Sequence, residues 1–320
     1  MRFLRVLIPA MTLAFAAIPA AADQQIVAVT AITDHPSLDA VREGVRARLE
    51  EAGYVDGRNL RLEYQSAQGN PATASQIARQ FVGMNPAVIV PIATPSAQAV
   101  VAATREVPVV FSAVTDPVGA QLVRDMANPG GNVTGVSDFP PVADHLALIA
   151  EILPNAKRVG VPYNPGDANS VSLLRHLKEL AGPRGLTVVE ATANRTADVP
   201  AAARSLIGKA DVIYTMLDNT VGSALESLIQ VAARNRIPVF SGDVDSVGRG
   251  AIASSGFDYA DVGRQTGEIV LRVMKGEDPG DIPVAPAAKR DLVVNPEAAA
   301  AQGVTLPSAV LARAARVVGQ

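Results

Sequence analysis

Polar side chains recur at one kind of position in this chain, directly after short apolar runs that have the composition of buried β-strands. Ligands of parallel sheets bind outside the carboxyl ends of the strands, so these positions are candidate ligand contacts. Lysine and arginine are almost absent from them, which disfavours a nucleotide and suits a small zwitterion or a neutral polar ligand. The candidates are His35, Ala93, Thr94, Ser96, Thr115, Asp116, Tyr163, Asn164, Asn169, Ser170, Asp218, Asn219 and Asp243.

The hydroxyl and amide candidates suit the carboxylate end of such a ligand. Thr94, Ser96 and Thr115 follow strands in the first half of the chain, and Asn169 and Ser170 stand at a helix start in the second half. Unpaired N–H groups and the helix dipole favour an anion at the start of a helix. Two helix starts, one in each half, therefore remain open as the carboxylate site, and the one with Asn169 and Ser170 is slightly favoured. The alternative for each residue is that it only caps its own helix.

Two acids suit the ammonium end of a zwitterion. Asp218 occupies the position that Thr94 has in an internal repeat of the chain, and Asp243 occupies the position that Ala113 has. At both positions, a carboxylate is present in the second half of the chain only. A requirement of folding would apply to both halves alike, whereas a ligand with a positive end explains a carboxylate in one half. We therefore expect Asp218 or Asp243 to bind the ammonium group. The alternative is that Asp218 caps the next helix and Asp243 orders its turn.

The internal repeat defines the elements that must position these residues. A strand, a loop, a helix and a glycine over 27–53 recur in the same order over 159–185, and segments 87–111 and 211–240 correspond likewise. Alternating strands and amphipathic helices predict an α/β fold of two Rossmann-like lobes, each with a doubly wound parallel sheet. The predicted strands are 26–30, 60–65, 87–90, 109–112, 133–136, 158–161, 187–191, 212–216, 239–241 and 251–255.

Residues 1–22 have the pattern of a cleaved secretory signal peptide. Two arginines precede an apolar run from Val6 to Ile18, and small residues lead to a cleavage point after Ala22. The chain has no cysteine, which excludes disulfides, thiolate metal sites and a lipid-modified cysteine. We therefore expect a soluble protein in the periplasm of a bacterium with two membranes.

The remaining composition excludes several classes of function. The net charge is −3 with both signs interspersed, so we expect no nucleic-acid partner. The three histidines have no neighbours at the spacing of metal ligands, and no nucleophile elbow or phosphate-binding loop occurs. We therefore expect no metal, no cofactor and no enzymatic activity.

Five motifs resemble the substrate-binding proteins of ABC uptake systems, in the branch associated with tryptophan and tyrosine. The resemblance implies a class I periplasmic binding protein fold, with three chain crossings between two lobes and the ligand in the cleft. It also implies a first lobe of residues 23–137 and 258–281 and a second lobe of residues 138–257 and 282–320. The motifs are Asp34–Asp39, Ile92–Gln98, Val114–Ala120, Pro129–Asp138 and Gly256–Tyr259.

The same resemblance implies a function. A monomeric protein would bind an amino acid, with an aromatic one favoured, and deliver it to an ABC permease in the inner membrane. Phe139 and Tyr163 would then either line the pocket and stack on the ligand or belong to the hydrophobic core. Two alternatives stay open on the same fold, namely a periplasmic ligand sensor for a membrane receptor and, less directly, an enzyme.

Overall fold

A computed structural model describes residues 24–319, so the predicted signal peptide lies outside the described residues. The chain begins with β1 Gln25–Ala31, α1 Pro36–Glu51, β2 Leu60–Ser66, α2 Pro71–Gly83, β3 Val88–Ile92, α3 Thr94–Ala103, β4 Val109–Val114 and β5 Val133–Ser137. It continues with α4 Val142–Ile152, β6 Arg158–Tyr163, α5 Ala168–Ala181, β7 Thr187–Thr192, α6 Val199–Ser205, β8 Val212–Thr215, α7 Asn219–Ser223, α8 Leu225–Arg234, β9 Val239–Ser241, α9 Asp245–Gly248 and β10 Ala253–Phe257. It ends with α10 Tyr259–Met274, β11 Ala285–Pro286, β12 Arg290–Val294, α11 Pro296–Ala301, α12 Ser308–Arg313 and β13 Arg316–Val317.

These elements form two α/β lobes, which confirms the predicted fold class. The first sheet has the order β11-β5-β4-β3-β1-β2, and all its strand pairs are parallel. The second has the order β13-β12-β10-β9-β8-β6-β7. Here β12 runs antiparallel to β10, and the other strand pairs are parallel as predicted. Every predicted strand is present, with each end within two residues of its predicted position.

Both lobes are built on the apolar periodicity of the sequence. Every residue of β3 is buried, as expected of a central parallel strand that is covered by helices on both faces. In α1, Leu38, Val41, Val45 and Leu49 are buried at helical spacing and pack into the core of the first lobe. These packed layers hold the strand ends, and hence the loops that follow them, in fixed positions.

Helix α10 returns the chain to the first lobe and packs closely on α1 through glycines. A Cβ atom at Gly44 would lie 2.3 Å from the carbonyl oxygen of Ala260, and one at Gly263 would lie 2.1 Å from that of Val41. Only glycine permits this approach of the two helix backbones. The start of α10 is thereby fixed beside the cleft.

The chain passes between the lobes at 138–141, at Asp258 and after Ala287. The last of these crossings lies later than predicted, because the segment after Asp281 still belongs to the first lobe. There Ile282, Val284 and Ala287 are buried in the first hydrophobic core, and β11 pairs with β5. The first lobe therefore comprises residues 24–137 and 258–287.

The described residues contain no helix that is both long and apolar enough to cross a membrane. Within residues 24–319, no three histidine or acidic side chains are grouped as they would be around a metal ion.

Candidate ligand-binding site

The carboxyl ends of β1, β3 and β4 face those of β6, β8 and β9 across the cleft, and a cavity lies between them. The free space between them, including the open solvent at the mouth of the cavity, is about 560 Å³. Eight of the candidates predicted from the sequence line this cavity. They are His35, Ala93, Thr94, Thr115, Asn169, Asp218, Asn219 and Asp243.

The other five candidates lie outside the lining, and four of them have structural partners. Asp116 accepts hydrogen bonds from the Gly119 backbone and from Ser172. The Tyr163 hydroxyl donates to Glu190, at 3.0 Å. The Asn164 side chain accepts from the Gly166 backbone and donates to Thr220, while the Ser170 hydroxyl donates to Asp218. Ser96 is fully buried.

The start of α3 has the features of an anion site. Thr94 lines the cavity and is 1 % exposed, and its hydroxyl has no hydrogen-bond partner within the described chain. The first turn of α3 contains no acidic residue, and no side chain caps it. The backbone N–H groups of Thr94 and Ser96 therefore lack intrahelical partners, as at any helix start. An anionic group placed here would accept hydrogen bonds and interact favourably with the helix dipole.

Two alanines at the strand ends hold strained backbone conformations beside this helix start. Ala93 has φ 71° and ψ 156°, a region that is otherwise almost restricted to glycine. Ala113 has φ 51°. Such conformations cost about 1–3 kcal/mol each and occur preferentially at ligand sites, where they fix the direction of neighbouring groups. Both residues line the cavity.

The start of α5 has a different chemical character from the one predicted. Its N-cap residue is Asp167, so Asn169 and Ser170 lie in the first turn and do not cap the helix. The amide nitrogen of Asn169 donates to the carbonyl oxygen of Leu217, at 2.7 Å, which leaves its buried Oδ1 without a partner. Asn169 therefore presents an acceptor to the cavity, whereas a carboxylate ligand needs a donor.

Asp218 and Asp243 line the cavity but already accept several hydrogen bonds. Asp218 caps α7 by accepting from the Val221 backbone, at 2.8 Å. It also accepts from the Asn164 backbone, at 2.6 Å, and from Ser170. Burial raises the pKa of Asp218, and these hydrogen bonds act in the opposite direction. Asp243 accepts four hydrogen bonds, which come from Ser37, Ser241, and the backbone and hydroxyl of Ser246.

One histidine and one arginine also line the cavity. His35 is half-buried, and desolvation lowers its pKa to about 4, so its ring is neutral at physiological pH. Its Nδ1 has no partner among the described residues. Arg249 was not among the predicted contacts, because it lies beyond the strand-end loops, at the end of α9. Its guanidinium already pairs with Glu226 and donates to the carbonyl oxygen of Gly222.

The remaining lining was not predicted either, and it supplies the apolar part of the cavity. Tyr259 is the aromatic residue of the described lining, and a buried acid, Asp138, lies beside it. Phe139 and Tyr163 do not line the cavity. Phe139 packs against the ring of His176, with centroids 5.3 Å apart, and is 37 % exposed. The apolar lining residues are Leu38, Met216, Leu217 and Leu225.

Among residues 24–319, three side-chain hydrogen bonds join the two lobes across the cleft. The hydroxyls of Thr33 and Ser223 are 3.0 Å apart. The Ser37 hydroxyl donates to Asp243 Oδ1, at 3.3 Å, and the Ser172 hydroxyl donates to Asp116 Oδ2, at 2.6 Å. The described conformation is therefore a closed one, in which the cavity is enclosed by both lobes.

Comparison with known proteins gives consistent matches over the chain. The model of a family described as "ABC transporter substrate binding protein" matches residues 26–318. A tyrosine-binding protein of Clostridioides difficile is 38 % identical over 272 residues, which are 85 % of this chain and 79 % of that protein. The crystal structure of an ABC domain from Streptococcus pneumoniae in complex with L-Trp is 32 % identical, with a TM-score of 0.89, and the match covers 92 % of this chain and 100 % of that one.

A second solved structure supports the assignment of the closed conformation. The ligand-free, open structure of a substrate-binding protein with adhesive properties from Clostridium difficile is 37 % identical to this chain. The match covers 92 % of this chain and 100 % of that one, yet the TM-score is only 0.69. The lobes are thus arranged as in the ligand-bound relative, although the open relative is closer in sequence.

Proposed function

Because the chain belongs to the family of ABC transporter substrate-binding proteins, we propose that it binds an aromatic L-amino acid in its cleft and delivers it to an ABC permease. The names of two relatives, one tyrosine-binding and one solved with L-Trp, support this ligand class. The observation that carries the proposal is the uncapped start of α3 inside a closed cavity, where the Thr94 hydroxyl has no partner.

The ligand carboxylate binds at this helix start. Thr94 supplies a hydroxyl donor, and the first-turn N–H groups supply further donors. Thr115 lines the same side of the cavity and supplies another hydroxyl. Charge-assisted hydrogen bonds of this kind in a closed cleft are roughly twice as strong as neutral ones.

The ligand side chain packs against the apolar part of the lining. Leu38 comes from the first lobe, and Met216, Leu217 and Leu225 come from the second. The ring of Tyr259 adds an aromatic surface for edge or offset stacking. A planar apolar ring of the ligand therefore finds contacts on both sides of the cleft, so it stabilises the closed arrangement.

We further propose a monomer that acts in the periplasm. The signal-like pattern of residues 1–22 and the absence of cysteine support export without a lipid anchor. The protein then carries its ligand to the permease without chemical change, since its relatives are substrate-binding proteins. We expect residues 23–320 to be recovered in the periplasmic fraction and to elute as a monomer in size-exclusion chromatography. Recovery with the membranes contradicts this proposal.

A thermal-shift screen of the twenty amino acids tests the ligand class, because a ligand that binds only the folded state raises the melting temperature. We expect tyrosine, tryptophan or phenylalanine to give the largest shift, with titration calorimetry giving a dissociation constant around micromolar and one site per chain. The ligand recovered after incubation should have an unchanged mass. A larger shift with a charged amino acid, or no shift with any of the twenty, contradicts the proposal.

A further inference from the structure

Three acids line the cavity, and they differ in how many hydrogen bonds their carboxyl oxygens already accept. In Asp218, Oδ1 accepts one bond and Oδ2 accepts two. In Asp243, each oxygen accepts two. All these donors belong to the protein itself, so both carboxylates serve the local structure of the second lobe and its contact with Ser37.

Asp138 is the third acid, and it has one carboxyl oxygen without a partner. Its Oδ2 accepts a hydrogen bond of 2.8 Å from the hydroxyl of Tyr259. Its Oδ1 is buried and has no hydrogen-bond partner within the described chain. Thr115 lies beside the carboxyl, but the geometry does not give a hydrogen bond to Oδ1. The whole residue is 3 % exposed and lines the cavity.

An unpaired buried carboxylate oxygen is unfavourable unless a ligand supplies a donor. Burial raises the pKa of Asp138 to about 6, against the hydrogen bond from Tyr259, and the charge of Asp243 adds to the rise. A cation at Oδ1 would reverse this effect by stabilising the ionised form. Asp138 Oδ1 is therefore suited to bind a positively charged hydrogen-bond donor.

A second unpaired acceptor lines the same cavity. Asn169 is 3 % exposed, and its amide nitrogen is committed to Leu217, so its Oδ1 can only accept. An ammonium group has three N–H donors and no acceptor. Asp138 and Asn169 offer it two acceptors, one from the crossing between the lobes and one from the second lobe.

We propose that Asp138 binds the α-ammonium group of the ligand, with Asn169 as its second acceptor. This inference rests on the proposed function, since it assumes an amino-acid ligand. Asp138 lies at the first crossing, and its partner Tyr259 begins α10 directly after the second. The ammonium group therefore binds where the chain passes between the lobes, and the carboxylate binds at the start of α3. This arrangement selects amino acids over the corresponding carboxylic acids.

Calorimetry with two ligands and two variants tests the proposal. The ligands are the aromatic amino acid that binds most tightly and its deamino analogue, which keeps the ring and the carboxylate (3-phenylpropanoate for phenylalanine). We expect Asp138→Asn to weaken binding of the amino acid by at least about thirtyfold and to leave binding of the analogue within about threefold. Asp144→Asn is the matched control, because its side chain is 61 % exposed on α4, and it should change neither affinity.

Several outcomes overturn the proposal. If the parent protein binds the amino acid but Asp138→Asn binds it equally well, the ammonium site is elsewhere while the proposed function stands. If the parent protein binds no amino acid, the proposed function itself fails. Should Asp138→Asn not fold, as judged by circular dichroism, the parent protein alone decides. Equal affinity for the amino acid and its deamino analogue would then exclude an ammonium site at Asp138.

Discussion

Ser172 Oγ, in α5 of the second lobe, donates a hydrogen bond of 2.6 Å to Asp116 Oδ2, in the loop after β4 of the first lobe. The other oxygen of Asp116 accepts from the Gly119 backbone, at 2.8 Å, so the acceptor is fixed by its own loop. Opening of the cleft separates the two partners. Their bond therefore contributes to the free energy of the closed state and not to the folding of either lobe.

Ser172→Ala should weaken ligand binding without changing the fold. Loss of one such hydrogen bond costs about 1 kcal/mol, which corresponds to a rise of about fivefold in the dissociation constant. The change should appear mainly in the dissociation rate, measured by stopped-flow fluorescence. Ser227→Ala is the control, because its hydroxyl bonds only to the Ala224 carbonyl oxygen within the second lobe. A dissociation rate equal to the parent's would show that this contact does not stabilise closure.

Thr94→Val should remove one donor from the proposed carboxylate site while it keeps the shape of the side chain. A hydrogen bond to a charged group contributes about 1.5–3 kcal/mol, so the dissociation constant should rise by about tenfold or more. Ser96→Ala is the matched control on the same helical turn, since its buried hydroxyl also lacks a partner but does not line the cavity. Equal losses in the two variants would mean that Thr94 acts through the helix and not on the ligand.

Much of the fold follows from periodicity in the sequence. The internal repeat predicts both lobes, and the ten predicted strands are all present. The third crossing is less predictable, because the short apolar segment with Ile282 and Val284 is compatible with either lobe. Its burial in the first hydrophobic core and the pairing of β11 with β5 assign it to the first lobe. The antiparallel direction of β12 also depends on tertiary structure, since the local pattern of apolar residues does not determine the direction of a strand.

The residues of the site are likewise predictable from the sequence only in part. The strand-end rule finds Thr94, Asn169 and Asp218, because parallel strands bring their ends to one edge. The prediction leaves out Asp138 and Tyr259, although they follow the ends of β5 and β10, because these two strands lead into chain crossings. It also cannot tell which acids are free, since this depends on donors distant in sequence, such as the Asn164 backbone for Asp218.

Asp218→Asn should lower the stability of the ligand-free protein. An asparagine has one acceptor oxygen, so it cannot serve all three donors that Asp218 now satisfies. We expect a loss of about 1–3 kcal/mol in the free energy of unfolding, measured with denaturant. Asp125→Asn, in an exposed turn where the acid accepts only from the Ala127 backbone, is the control. If stability is unchanged and binding of the amino acid is lost, Asp218 and not Asp138 is the ammonium site.

Affinity for the amino acid should rise with pH up to about 6 and stay level above pH 7. The pKa of Asp138 is raised to about 6, so at lower pH a proton must leave before the ammonium group can bind. Each unit below this value should then cost up to about tenfold in affinity. Tyr259 and His35 do not change protonation near pH 6, so they do not obscure the pH dependence of the affinity that Asp138 causes. The pKa of Tyr259 is raised well above its usual value, and the pKa of His35 is near 4.

Ligand-free stability should follow the opposite trend. The folded protein holds the Asp138 proton more strongly than the unfolded chain does. The stabilisation that protonated Asp138 gives to the folded state is therefore fully present below the unfolded pKa of about 3.8, and it is lost as pH rises through about 6. Asp138→Asn should remove both dependences, which calorimetry and thermal unfolding between about pH 4 and pH 8 would measure. Burial also raises the pKa of Asp245 to about 6 and that of Asp167 to about 7. The pKa of Asp218 is also raised by burial. If the pH dependence of binding survives in Asp138→Asn, one of these other acids causes it, and the role given to Asp138 is wrong.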